Sequence, residues 1–125
     1  MEEHKIHSTS VKTVLIFGAA GGIGQGIVYG LKQSWNVIGV DIVVNIKPHI
    51  SNVQWVIADA RNEESVFDLF FQNRPDVVIN CVGINYSPGP IEDCSAVDWY
   101  DKVGDNLIPW YAMIRSASRY HSAYP

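Results

Sequence analysis

The sequence contains little cysteine and no long apolar run. Its 125 residues include two cysteines, Cys81 and Cys94, which are too few for the disulfide framework of a small secreted domain. No apolar stretch reaches the roughly 20 residues that a membrane-spanning helix needs. The charged residues 1–5 are not followed by the apolar segment of a secretion signal. We therefore expect a soluble, cytoplasmic protein without a membrane partner.

Positive charge is scarce as well. Thirteen Asp and Glu residues outnumber nine Lys and Arg residues, so the formal net charge is -4, and the basic residues form no run. Because nucleic-acid binding depends on clustered positive charge, we expect no nucleic-acid partner. Of the four histidines, only His4 and His7 are close in sequence, and they have no further ligands nearby. We therefore predict no metal site.

The sequence does contain short apolar runs that alternate with helical patterns. Four apolar runs predict strands at residues 13–17, 37–40, 53–58 and 77–79, and the first of them suits a strand that is buried on both faces. Three helices are predicted from apolar residues that recur three or four positions apart: Ile23, Ile27, Val28 and Leu31 in the first; Val66, Leu69 and Phe70 in the second, which Asn62 can cap; and Val103, Leu107, Trp110, Ile114 and Ala117 in the third.

This alternation predicts the fold class. Strands that alternate with helices imply right-handed crossovers and a parallel sheet. We predict a Rossmann-like three-layer α/β/α domain over residues 11–125, with strand order 3-2-1-4, truncated after the fourth strand and its long helix. The polar residues 1–10 are expected to form a loose arm. Residues 42–52 are interpreted as a connection with room for a short helical turn, and residues 88–90 as a loop.

A glycine-rich turn lies between the first predicted strand and the first predicted helix. Gly18 permits a sharp turn off the strand, Gly22 lets the backbone approach a pyrophosphate, and Gly24 lets the helix pack closely on the sheet. The helix N-terminus would then present unpaired N–H groups and a positive dipole end to phosphates. The position between strand and helix distinguishes a dinucleotide-binding turn from a chance glycine spacing.

Asp41 supplies a second signal for a dinucleotide. It follows the second predicted strand, roughly 20 residues after the turn, where a carboxylate can accept hydrogen bonds from ribose hydroxyls and repels a 2′-phosphate. Ile42 follows Asp41 where an arginine would favour a 2′-phosphate, and Gly21 stands beside the turn in place of a basic residue. These residues predict NAD in preference to NADP. The structural alternative is a glycine-rich turn with an acidic residue at a strand end.

These residues resemble those of the short-chain dehydrogenase/reductase family. The pattern Gly18-x-x-x-Gly22-x-Gly24 with Ile23 is similar to the family's cofactor turn. The same turn satisfies Gly18-x-x-Gly21-x-x-Gly24, the spacing of the family's extended, epimerase-like branch. The resemblance implies a Rossmann fold, NAD as the cofactor, and a cofactor-binding set of Gly18, Ala20, Gly22, Ile23 and Gly24.

Later residues extend the resemblance along the chain. Asp59-Ala60 is similar to the family's Asp-hydrophobe pair, whose aspartate contacts the adenine amino group. Residues 80–83 (NCVG) are similar to the Asn-Asn-Ala-Gly segment, which lines the cofactor, and depart from it at positions 81 and 82. Phe17 also departs from the threonine that is usual before the first glycine. The resemblance therefore adds five residues to the cofactor site: Asp59, Ala60, Asn80, Val82 and Gly83. Alternatively, Asp59 caps a helix and Asn80 satisfies backbone groups at a strand end.

The long helix carries a further candidate, Asn106. It resembles the asparagine of the family's Asn-Ser-Tyr-Lys tetrad, and the resemblance implies a catalytic residue there. Pro109 lacks an N–H and clashes with the carbonyl of Asp105, four residues back, so we predict a kink next to Asn106. In the family, such a kink lets the backbone carbonyl of this asparagine hold a water of the proton relay. The alternative is a surface residue on an amphipathic helix.

The other catalytic residues of the family are not found. The resemblance implies hydride transfer with a tyrosine as general acid–base, a lysine that lowers the tyrosine's pKa, and a serine that orients the substrate. The tyrosine and lysine are spaced Tyr-x-x-x-Lys, and neither Tyr120 nor Tyr124 has a lysine four residues later. We therefore expect a truncated NAD-dependent oxidoreductase that is inactive alone, whose full-length relatives act on an alcohol or carbonyl substrate.

Two surfaces are candidates for a homo-oligomer. The fourth strand is apolar throughout and forms an open edge if no fifth strand covers it. On the long helix, 97–119, we expect the aromatic residues to pack the helix onto its neighbours, with a seam between two copies of the chain as the alternative. These residues are Trp99, Tyr100, Trp110 and Tyr111.

The favoured function is the NAD-binding portion of a short-chain dehydrogenase/reductase. Asn80, Gly83 and Asn106 favour the Tyr–Lys dehydrogenase branch of that family. One alternative is a non-catalytic dinucleotide-binding module that regulates or pairs with a partner subunit. The other is a piece of an extended-branch enzyme, an epimerase or dehydratase that acts on a nucleotide sugar. The substrate itself cannot be predicted, since fold does not fix function.

Overall fold

A computed structural model describes residues 11–43, 50–84 and 89–125. The predicted arm, 1–10, and most of the predicted connection, 42–52, lie outside these residues. The described elements are strands β1 (Thr13–Phe17), β2 (Asn36–Asp41), β3 (Val53–Ile57) and β4 (Val77–Asn80), helices α1 (Gly22–Leu31), α2 (Glu63–Asn73) and α3 (Ala96–Ala123), and a short 3₁₀ turn at Ile91–Asp93.

The four strands form one parallel sheet in the order β3-β2-β1-β4, which confirms the predicted topology. Pairing at the strand ends sets Phe17 beside both Val40 and Asn80, and sets Asp41 beside Ile57. The carboxyl ends of all four strands therefore meet at one edge of the sheet. In open α/β sheets, this edge is where ligands bind.

Helices cover both faces of the sheet, as the three-layer prediction requires. Leu15 and Phe17 of β1 belong to a buried cluster with residues of α2 and α3, whereas Val14 and Ile16 belong to a second cluster with Val28 of α1. Successive residues of β1 point to opposite faces, and both faces are buried. This is why the strand sequence is continuously apolar and does not alternate.

Local signals fix the starts and ends of α2 and α3. The Asn62 side chain accepts a hydrogen bond from the Ser65 N–H at 3.1 Å, which confirms the predicted cap of α2. Arg74 ends α2 in the left-handed conformation, with φ of 48°. Ser95 caps α3 by accepting from the Asp98 N–H at 3.0 Å. The observed helix boundaries thus have physical causes in the side chains and backbone that flank them.

Helix α3 is a single helix of 28 residues that passes through the buried Pro109. It is longer than predicted, and the kink next to Asn106 stays a prediction. The prediction that aromatic residues pack this helix onto its neighbours is wrong. Trp99, Tyr100, Trp110 and Tyr111 are between 49% and 72% exposed, because the residues that contact α2 and β4 lie on the other side of the helix, at Ala112, Met113 and Ser116.

The turn after β1 requires glycine at two positions. Gly18 has φ of +74°, and a Cβ atom there would lie 2.6 Å from the carbonyl carbon of Cys81, which follows β4. A Cβ on Gly24 would overlap the Gly18 carbonyl oxygen and lie 2.8 Å from the Ala19 Cα. These contacts confirm the predicted sharp turn at Gly18 and place α1 against that turn, whereas the packing of Gly24 on the sheet stays a prediction.

Substituting Gly18→Ala should destabilise the fold. The added methyl group would meet the Cys81 backbone and force a strained φ, for an expected loss of ~3 kcal/mol in the free energy of unfolding. Gly26→Ala is a matched control, because a Cβ there contacts nothing within 4 Å, and it should stabilise α1 by ~0.5–1 kcal/mol. Urea unfolding followed by circular dichroism measures both values, and equal effects of the two substitutions would contradict the close contact at Gly18.

Candidate functional site

A cavity of about 250 Å³ opens at the carboxyl edge of the sheet. Its lining comes from the ends of β1 and β2, the segments that follow all four strands, and one residue of α3. It includes six of the predicted site residues: Gly18, Asp41, Asp59, Ala60, Val82 and Gly83. Residues that are more than 60 positions apart in the sequence are thus brought to one concave surface.

The first wall is the glycine turn, which is held by backbone hydrogen bonds. The N–H groups of Gly18 and Ala19 donate to the Val40 carbonyl at 2.8 and 3.1 Å, and the Gly21 N–H donates to the Gly18 carbonyl at 3.2 Å. The Gln25 side-chain amide donates to the Ala20 carbonyl at 2.7 Å. The turn is therefore fixed by the protein itself and does not depend on a ligand for its shape.

Helix α1 starts directly after this turn, with its N-terminus open. The preceding Gly21 provides no side-chain cap, and the first turn of the helix contains no acidic residue. Gly22 and Ile23 are exposed, and a Cβ on Gly22 would meet nothing within 4 Å. The first N–H groups of a helix lack intrahelical partners and lie at the positive end of its dipole. This surface can therefore accept an anionic group.

Asp41 connects the second strand to the glycine turn. Its Oδ2 accepts from the Ala20 N–H at 2.9 Å, and its Oδ1 accepts from the Ile42 N–H at 2.8 Å. An ionised carboxylate offers about four lone-pair positions, so each oxygen keeps the capacity to accept from a hydroxyl group. Asp41 thus lines the cavity and also supports the turn, a second function that the sequence did not indicate.

The second wall contains a guanidinium group between two carboxylates. Arg61 donates to Asp59 through Nε at 3.1 Å and through NH2 at 2.8 Å, and to Asp105 of α3 through NH1 at 2.6 Å. The Arg61 backbone N–H also donates to Asp59 Oδ1 at 2.9 Å. The hydrogen bonds from Arg61 lower the pKa of Asp59 below its ordinary value. Asp59 is therefore ionised, and acts only as an acceptor, near neutral pH.

The third wall is the segment that follows β4. The Asn80 side-chain oxygen accepts from the Val82 N–H at 2.8 Å, while the buried Asn80 Nδ2 finds no partner among the described residues. Asn106 holds the other end of this segment, because its Oδ1 accepts from the Ile84 N–H at 2.9 Å and its Nδ2 donates to the Ile84 carbonyl at 3.2 Å. The Asn106 Nδ2 also donates to the Lys102 carbonyl at 2.8 Å. Both asparagines shape the wall without lining the cavity.

The remaining predicted residues lie around the cavity. Ala20, Gly22 and Ile23 follow Gly18 along the turn but do not line the cavity, and Gly24 is buried beneath the turn. Sequence reasoning missed Arg61 and Asp105. Arg61 could have been noticed as a charged residue just after a strand end, but no signal in the sequence pairs it with an aspartate 44 positions away.

No cluster of three or more potential metal ligands occurs among the described residues, and none of their helices is long and apolar enough to cross a membrane.

The class of protein that the fold and the cavity define is a Rossmann-type dinucleotide-binding domain. The parallel sheet order, the glycine turn and the acidic residues at the strand ends are together the features of that class.

Comparison with known proteins identifies the family. The model of the NAD dependent epimerase/dehydratase family matches residues 14–97, which is more than half of the chain. The chain therefore belongs to this family, and the predicted resemblance to short-chain dehydrogenases/reductases is confirmed. No curated protein gives a significant match.

Solved structures share the fold. A short chain dehydrogenase from Leptospira borgpetersenii serovar Hardjo-bovis with bound NAD+ is 31% identical, with a TM-score of 0.73 over 88% of this chain and 46% of its own. The Bordetella bronchiseptica enzyme WbmH in complex with NAD+ is 21% identical, with a TM-score of 0.70 over 90% of this chain and 37% of its own. An ElxO variant with NADPH bound is 22% identical, with a TM-score of 0.73 over 89% of this chain and 50% of its own.

The chain thus spans half or less of the length of these structures. The matching family model is named for the epimerases and dehydratases, whereas the 31% identical structure is a short chain dehydrogenase. These matches do not separate the two branches, and the preference for the Tyr–Lys branch stays a prediction. What is established is the dinucleotide-binding fold of a short-chain dehydrogenase/reductase-type protein.

The Asp59–Arg61 pair should leave a signature in acid unfolding. Because the folded-state pKa of Asp59 lies below its unfolded value, the pair stabilises the fold above the unfolded pKa, and the contribution is lost as the pH falls through the folded one. The difference in unfolding free energy between the wild type and Asp59→Asn should be constant above about pH 5 and shrink below about pH 4. Urea unfolding at pH 3 to 7 measures this difference, and a difference that grows on acidification would contradict the assignment.

Proposed function

We propose that the cavity binds the adenosine diphosphate part of NAD. The observation that carries this proposal is that the glycine turn, Asp41 and Asp59 line one cavity at the carboxyl edge of a parallel sheet. Dinucleotides bind at this edge in open α/β sheets. The family membership of the chain supports the same ligand class.

Each part of the ligand has a matching group in the protein. The open N-terminus of α1 at Gly22 and Ile23 suits the pyrophosphate, because backbone N–H groups and the helix dipole favour negative charge there. The acceptor oxygens of Asp41 suit the hydroxyls of the adenosine ribose. Ionised Asp59 suits a donor such as the adenine amino group, and Ala60, Val82 and Gly83 provide small or apolar surface around the base.

Within this proposal, NAD is preferred to NADP. A 2′-phosphate would meet the Asp41 carboxylate, and the neighbouring Ile42 supplies no positive charge. Arg61 lines the cavity, but its guanidinium group already donates to two carboxylates. The fold itself allows either cofactor, since one similar structure contains NADPH.

The activity that we propose, as in full-length relatives of this chain, is oxidation of an alcohol or reduction of a carbonyl compound. The cofactor would accept a hydride as NAD+ in the oxidation and donate one as NADH in the reduction. Among the described residues, Asn106 is the candidate for the asparagine of the tetrad, and its side chain is already occupied by Ile84 and Lys102. Only its backbone carbonyl could therefore hold a water, as the family resemblance implies.

The two free thiols, Cys81 and Cys94, are compatible with the cytoplasm as the location of the protein.

Titration with NADH tests the proposed function and its cofactor preference. We expect saturable binding, followed by NADH fluorescence, and at least about tenfold weaker binding of NADPH, because one charge repulsion is worth about 1.4 kcal/mol or more at short range. Asp41→Asn should weaken NADH binding and narrow the ratio between the two cofactors. Absence of saturable binding by the folded wild type would overturn the proposal.

Asp76→Asn is the matched control for this titration. Asp76 also accepts a hydrogen bond from a backbone N–H, that of Thr13 at 2.8 Å, but it lies at the amino end of β1, opposite the cavity. Its substitution should leave both cofactor affinities unchanged. Equal loss of affinity in the two variants would assign the effect of Asp41→Asn to the fold and not to a contact with ribose.

We further propose that α3 mediates self-association. Its outer face exposes a row of apolar residues at helical spacing: Leu107, Trp110, Tyr111 and Ile114 are 49% to 64% exposed. The row continues into a shallow groove that also includes Arg115 and Ser118. Contiguous exposed apolar surface of this kind is typical of interaction sites. The edge of β4 is the second candidate, since among the described residues β4 pairs with β1 alone.

Sedimentation should detect this association and its loss. We expect a concentration-dependent dimer, and we expect Leu107→Glu to raise its dissociation constant at least about tenfold, because a buried leucine contributes about 1.5–3 kcal/mol. Tyr29→Glu is the control, since Tyr29 is similarly exposed, at 47%, but lies on α1. A wild type that stays monomeric at all concentrations would exclude association through α3.

A further inference from the structure

The contacts of Arg61 suggest how the adenine end of the cavity is organised. Its guanidinium group is planar and donates from two different edges. The edge formed by Nε and NH2 faces Asp59, and NH1 donates to Asp105 of α3. All three residues line the cavity. Arg61 is therefore attached to both the loop after β3 and the long helix.

Asp105 is the more fixed of the two carboxylates. Its side chain is 18% exposed, against 40% for Asp59 and 42% for Arg61. It also belongs to a helix of 28 residues, whereas Asp59 and Arg61 lie in a short loop between β3 and α2. Because the guanidinium is rigid, the bond between NH1 and Asp105 sets the orientation of the edge that faces Asp59. The orientation of the Asp59 carboxylate follows from it.

The neighbour of Asp105 holds the opposite wall of the cavity. Asn106 binds both the N–H and the carbonyl of Ile84, and Gly83 and Ile84 line the cavity on the β4 side. Two consecutive residues of α3 thus hold the loop after β3 and the segment after β4. Helix α3 therefore helps to set the distance between the loop after β3 and the segment after β4.

We propose that Asp105, acting through Arg61, is a positioning residue that orients Asp59 to select adenine over bases without a 6-amino group. The inference rests on the proposed function, in which Asp59 accepts from the adenine amino group. Three N–H groups of Arg61 donate to Asp59, with Nε shared between both carboxylate oxygens, so at most about one of its roughly four lone-pair positions remains for a base donor. A base with a carbonyl oxygen at position 6, such as hypoxanthine, would instead place two acceptors against each other.

The test compares NADH with its hypoxanthine analogue, reduced nicotinamide hypoxanthine dinucleotide, on the full chain. Both probes share the ribose, phosphate and nicotinamide groups and are followed by the same fluorescence. We expect the wild type to bind NADH at least about tenfold more tightly, as for a hydrogen bond to a charged group. Asp105→Asn, which keeps the shape of the side chain, should reduce this ratio to about threefold or less. Arg61→Lys, which loses the planar fork, should reduce it similarly.

The control is an ion pair that also involves α3 but lies away from the cavity. Arg115 of α3 contacts Glu63 of α2 at 3.0 Å, and neither residue lines the cavity. Glu63→Gln should lower stability about as much as Asp105→Asn does, which circular dichroism measures. It should keep the wild-type ratio between the affinities for NADH and the hypoxanthine analogue, which the two titrations measure. The ratio of the two dissociation constants does not change when part of the protein is unfolded, because both probes bind the same folded fraction.

The outcomes separate the two proposals. If the wild type binds neither probe, the proposed function fails, and this inference fails with it. If the wild type prefers NADH and both Asp105→Asn and Arg61→Lys keep that preference, the proposed function stands and the positioning by Asp105 is overturned. Loss of the preference in Glu63→Gln as well would also overturn it, since any contact between α2 and α3 would then suffice.

Discussion

The close contact between the glycine turn and the backbone after β4 is the constraint on which the rest of the site depends. Gly18 lies so near Cys81 that no side chain fits between them, and its carbonyl in turn lies against Gly24. The contact with Cys81 places the segment after β4 next to the end of β1. The contact with Gly24 places α1 directly against the turn. The cavity is enclosed on two sides because these backbones touch.

Around this contact, each acidic residue at the carboxyl edge also holds part of the protein. Asp41 accepts from Ala20 of the turn, and Asp59 accepts from Arg61. A carboxylate that is fixed before a ligand arrives loses little freedom on binding, which favours affinity. The same bonds limit what each carboxylate can still accept, since two N–H groups already donate to Asp41 and three to Asp59, out of about four lone-pair positions each.

The sequence was sufficient to predict the sheet order and six of the residues that line the cavity, for reasons that are local. Strands buried on both faces are continuously apolar, and a glycine turn between strand and helix has a narrow range of shapes. Asn62 and its helix illustrate how one cap residue sets an element's start. These signals act between residues close together in the chain, and so they can be recognised without coordinates.

What could not be predicted depends on distant pairs. Arg61 meets Asp105 only because α2 and α3 pack side by side, and the sequence contains no pattern that links them. The exposure of Trp110 and Tyr111 was also unpredictable, since a helix with apolar residues on more than one side does not indicate which side is buried. Asn106 was found by resemblance, but its bonds to the backbone of Ile84 became evident only in three dimensions.

Helix α3 carries an exposed apolar face on one side and, at Asp105 and Asn106, the two attachments of the cavity walls on the other. Any partner whose binding energy differs between two positions of this helix must change nucleotide affinity, and the nucleotide must change affinity for that partner by the same factor. The two surfaces share one short stretch of α3, residues 105–114, so a small displacement of that stretch would move both.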